Sequence, residues 1–82
     1  MENEELAKLI KNATNRIYEL NWEMKKFHKD VCDLSECIEN AHRFRNYADA
    51  GNAAHELANV YMKMQDCKNW IAYFEKQIAK HQ

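Results

Sequence analysis

The 82 residues contain no proline and a single glycine, Gly51. Strands joined by tight turns need several residues that tolerate positive φ, chiefly glycine and asparagine. A chain this poor in breakers folds as helices with very few corners, so the sequence predicts an all-α protein. It predicts one helical domain, 1–82, near the size at which a single core needs a staple or a partner.

Apolar side chains recur in steps of four and three at Leu6, Ile10, Ala13, Ile17, Leu20, Met24 and Phe27. The same rhythm returns at Ala53, Leu57, Val60, Met64, Cys67, Ile71, Phe74 and Ile78. Such spacing places one apolar stripe along each helix, and its persistence beyond three heptads predicts coiled-coil-like seams.

Between these segments the stripe continues through Val31, Leu34, Ile38 and Ala41 without a slip of phase, which would allow one long helix and a helical hairpin. Capping signals oppose that. "DLSE", Asp33 to Glu36, has the form of a capping box, with Cys32 and Cys37 at the positions of a hydrophobic staple. Lys25, Lys26, His28 and Lys29 would close a first helix, and Asp33, Glu36 and Glu39 would open a second, as the helix dipole favours. Gly51 suits a left-handed helix end and Asn52 the cap of a following helix. These signals predict a three-helix bundle with helices at about 3–30, 34–49 and 52–80, the middle one short, ahead of the hairpin.

With 46% hydrophobic and 30% charged residues, the composition fits neither a disordered nor a membrane chain. A net charge of -1, well mixed, gives no long-range attraction to nucleic acid or anionic lipid. No apolar run approaches the roughly 18 residues of a membrane span. The start "MENEE" is acidic where a secretion signal is basic. Three cysteines, an odd number, suit a reducing compartment. Together these predict a cytoplasmic protein with neither nucleic acid nor membrane as partner.

"HKDVCDLSECIENAH", His28 to His42, has the spacing H-x3-C-x4-C-x4-H. Zinc needs four convergent ligands. His28 and Cys32 can share a helix face, but steps of five residues rotate the next ligand about 140° away. A corner at residues 30–33 could gather His28, Cys32 and Cys37, with His55 or Cys67 as a fourth ligand. The simpler expectation is no metal, with Cys37 and Cys67 as small buried apolar residues and the histidines near the surface. No C-x-x-C pair supports a thiol redox role.

"HRFRNY", His42 to Tyr47, clusters base and aromatic. Arg43, Arg45 and Tyr47 could grip a small anion such as a nucleotide. The plainer reading pairs Glu39 with Arg43 and Arg45 with Asp49 on a solvated face, with Phe44 and Tyr47 packing partly inward. Trp22, Trp70 and Tyr73 lie off the stripes, where large aromatics either widen a core or anchor an interface. No phosphate loop, H-E-x-x-H, G-x-S-x-G or carboxylate pair appears, so no enzyme is predicted and no cofactor is expected.

The sequence therefore predicts a helical protein–protein interaction module, an adaptor, inhibitor or regulator of a larger protein. Its partners would be itself, as a homo-oligomer, and an unidentified protein. The seam would consist of Leu6, Ile10, Ile17, Leu20, Met24, Phe27, Leu57, Val60, Met64, Ile71, Phe74 and Ile78. An alternative is a helical oligomer binding an anionic ligand at subunit junctions, and a third is a zinc-binding helical protein.

Overall fold

The computed structural model describes residues 3–81; Glu2 of the acidic start lies outside them. Two helices account for nearly all of these residues: α1, Asn3–Arg43, and α2, Tyr47–Lys80. They pack side by side as a helical hairpin, and no strand occurs among the described residues. The molecule is a rod of 63 × 14 × 13 Å with a radius of gyration of 18.5 Å. A compact domain of this length would have a radius of gyration of about 12 Å.

The apolar stripes determine this packing. In α1 every residue that is not exposed belongs to one 4–3 series: Leu6, Ile10, Ala13, Ile17, Leu20, Met24, Phe27, Val31, Leu34, Ile38 and Ala41. In α2 the corresponding series runs from Ala50 through Ala53, Leu57, Val60, Met64, Cys67, Ile71, Phe74 and Ile78, with Gln77 half-buried beside it. The seam residues read from the sequence are thus those that each helix turns from solvent. Among the described residues only Ala13, Leu20, Ala50, Met64 and Cys67 are buried, since two helices cannot cover each other from every side.

The three-helix arrangement is not found. Residues 30–34 lie inside α1, and the predicted boundary there is absent. An unbroken stripe explains this: continuing the helix keeps Val31, Leu34, Ile38 and Ala41 toward α2 in the same phase and without interrupting the intrahelical hydrogen bonds. Asp33 and Glu36 consequently stand on an exposed helical face, not in a cap.

The corner also falls elsewhere than predicted. Gly51 is inside α2, and residues 44–46 make the turn. Arg45 takes the left-handed conformation, φ 59°, normally given to glycine. Its N–H donates to the His42 carbonyl at 3.1 Å, and the Asn46 N–H donates to the Ala41 carbonyl at 2.8 Å. This pair is a Schellman closure of α1. Asn46 then caps α2, its side-chain oxygen accepting from the Asp49 N–H at 3.3 Å while its amide donates to the Asp49 carboxylate. One residue thereby closes the first helix and opens the second.

Candidate functional site

Where a two-helix hairpin leaves its seam uncovered, apolar surface remains for something else. At the open end, remote from the corner, α1 and α2 leave a groove of about 340 Å³. Its floor is Ile10, Ala13, Phe74 and Ile78, and its rims carry Leu9 on α1 and Tyr73 on α2. Ala13 is small and buried, so no bulky α1 side chain fills the space at that level. Leu9 is 46% exposed and Tyr73 49%, an unfavourable placement for large apolar surface unless it is covered.

An aromatic cluster adjoins the groove. Trp70 stacks on Phe74 with ring centroids 5.9 Å apart, and Tyr73 meets both edge-on, 5.6 Å from Trp70 and 5.3 Å from Phe74. The mutual contact holds Trp70 and Tyr73 in place while leaving about half of each in solvent. Rigid, half-exposed aromatics of this kind are the side chains that contribute most at protein interfaces. Polar groups frame the site. Arg16 lies on its lining and makes an ion pair with Glu19 at 2.9 Å.

The other predicted residues are dispersed. Trp22 points outward from α1, 55% exposed, with the Lys25 ammonium 5.9 Å from its ring centre, and does not join Trp70 and Tyr73. Arg43, Arg45 and Tyr47 do gather at the corner, where His42 meets Tyr47 edge-on at 6.2 Å. The predicted ion pairs Glu39–Arg43 and Arg45–Asp49 are absent; Arg16–Glu19 is the one ion pair among the described residues. Asp49 is engaged by Asn46 instead. Nor do Phe44 and Tyr47 pack inward, at 78% and 66% exposure, because the tight corner places both beyond the end of the seam.

His28, Cys32 and Cys37 all lie exposed on uninterrupted α1, so the corner that was to gather them does not exist. No group of three or more metal-ligating side chains forms among the described residues. Cys37 is exposed, contrary to expectation, whereas Cys67 is buried as predicted. Burial first, and the neighbouring Glu23 carboxylate second, push the Cys67 thiol above its ordinary pKa. Its Sγ donates to Glu23 Oε2 at 3.8 Å. The arrangement favours the protonated thiol over the thiolate.

Sequence reading missed Leu9. Leu9 lies one residue before the stripe position Ile10, and only the antiparallel pairing of the two helices sets it opposite Tyr73 and Gln77. No helix of the described residues is long and apolar enough to cross a membrane. No protein-family model, curated protein or solved structure matches the chain.

Proposed function

We propose that this chain is a non-enzymatic helical interaction module, an adaptor, inhibitor or regulator, that captures a protein partner at the open end of its hairpin. The observation that carries this reading is the half-exposed Trp70–Tyr73 pair standing beside an apolar groove. A partner's apolar side chain entering the groove would remove Leu9, Tyr73 and the groove floor from water, at about 25 cal/mol per Å². Heptad-spaced stripes favour a helical partner, whose side chains would continue a coiled-coil-like packing. The absence of the common catalytic motifs from the sequence agrees with binding as the output.

The test is photo-cross-linking in the cells that produce the protein. A photoreactive residue in place of Leu9 should form adducts with protein, and one in place of Lys29, on the exposed outer side of α1, should not. Equal labelling from both positions, or none from position 9, would refute the reading.

A second reading has one observation in its favour. Neither Arg43 nor Arg45 has a carboxylate within ion-pair distance among the described residues, which leaves the corner cationic beside the exposed Tyr47. Anion binding there predicts a thermal shift with nucleoside phosphates that disappears on Arg43→Ala with Arg45→Ala. No shift in the unsubstituted protein would remove this reading.

A further inference from the structure

We infer that the occupant of the open-end groove is a second copy of this chain, docked antiparallel about a twofold axis passing beside Tyr73. The inference rests on the binding role proposed above and specifies its partner.

Exposed surface is the first argument. A compact monomer of 9.8 kDa would expose about 5,200 Å². The hairpin exposes 6617 Å². The excess is about 1,400 Å², spread along the 63 Å rod. A twofold axis beside Tyr73 overlaps two copies at their open ends, over about 25 Å, where the exposed rims of the groove lie and the seam gains cover that two helices alone do not supply.

Charge placement is the second. Asp66, Tyr73 and Lys80 follow one another at intervals of seven residues on α2, and all three are exposed. A seven-residue step returns within about 20° of the same helix face, so the three form one row. The acid and the base stand equally far from Tyr73, about 10 Å on either side. Neither is ion-paired within the chain among the described residues. A twofold axis beside Tyr73 exchanges the two ends of this row. Asp66 then meets the partner's Lys80, and Lys80 meets the partner's Asp66. A twofold contact requires such self-complementarity.

Apolar placement obeys the same operation. Trp70 lies three residues before Tyr73, and the axis carries it to the level of the partner's Lys76, one residue short of Gln77, which lines the groove. Each tryptophan thus comes beside the edge of the other copy's groove. A parallel arrangement would bring like charges together.

Sedimentation equilibrium on the purified chain tests the inference. The unsubstituted protein should sediment at twice its 9.8 kDa mass. Asp66→Lys and Lys80→Glu should each give monomers with unchanged circular dichroism, and the two together should restore the dimer. A monomer at every concentration overturns the inference, as does a dimer indifferent to both single changes or a combination that fails to restore it. Should a single change reduce helicity, a photoreactive residue at Tyr73 in otherwise unaltered protein supplies the readout. It must cross-link to residue 73 of a second copy. An adduct exclusively with another protein, together with monomeric sedimentation, overturns the second copy as occupant and leaves the binding role standing. Absence of any adduct from positions 9 and 73 overturns both.

Discussion

The two halves of the hairpin share one apolar rhythm and differ in what flanks it. Toward the corner the stripes are modest in size, with Val31, Leu34, Ile38 and Ala41 against Ala50, Ala53, Leu57 and Val60, and the groove beside them is lined by Asp30, Asp33, Glu56 and Lys63. Toward the open end, Trp70, Tyr73 and Leu9 crowd the flanks and remain about half exposed around an apolar groove. The same seam spacing therefore makes one half with polar edges and one with apolar edges. Stripe periodicity specifies which helix faces meet, whereas flanking residues specify whether the resulting edge suits water or another protein.

The largest expected effect lies in the body of the rod, away from either end. Leu20 is 3% exposed, so Leu20→Ala should cost about 2–4 kcal/mol of stability in a denaturant melt, by lost transfer and a residual cavity. Leu9→Ala should cost under about 1 kcal/mol, since a half-exposed leucine has less to lose. Comparable losses at the two positions would mean that the groove rim is part of the monomer's core, and the contrast between halves would fail.

Removing the cap at the corner should come next. Asn46→Ala should cost about 1 kcal/mol and leave association unaffected, because the corner is remote from the groove. At the neighbouring position, Arg45→Gly should raise stability by about 1 kcal/mol, since a left-handed φ is strained for any residue with a Cβ. Its failure to stabilise would show that the Arg45 side chain offsets the backbone strain.

Gly51→Ala should stabilise by about 0.5–1 kcal/mol, as alanine does in a helix interior. A Cβ there meets nothing within 4 Å, so no steric cost opposes the gain. The smallest effect is a pH dependence. The folded state holds the Cys67 thiol protonated above its ordinary range, so its contribution is complete at lower pH and declines as pH rises through that range. Alkaline melts should show this decline in the unsubstituted protein and a smaller one in Cys67→Ala.

Much of the fold was legible in the sequence because burial and helical geometry are both periodic. The stripe residues from Leu6 to Ala41 and from Ala53 to Ile78 are those turned from solvent. Corners were harder to locate. The Asp33–Glu36 cap signal and Gly51 are local preferences worth about 1 kcal/mol each, and seam continuity over several turns outweighs them. Asn46 and Arg45 supplied the real corner through backbone hydrogen bonds that residue type alone does not announce. Trp70 and Tyr73 were recognisable as off-stripe aromatics, but Trp22 had the same appearance and lies apart from them on the outer surface of α1.

From its order of residues alone, this protein was committed to helices, to two apolar faces and to the side chains that occupy them, because those properties depend on neighbours a few positions away. Tertiary structure decided where the chain turns back and therefore which flanks become adjacent. The groove belongs to that second kind of information: Leu9 and Tyr73 are separated by most of the chain and share a site only through the register in which two rods align.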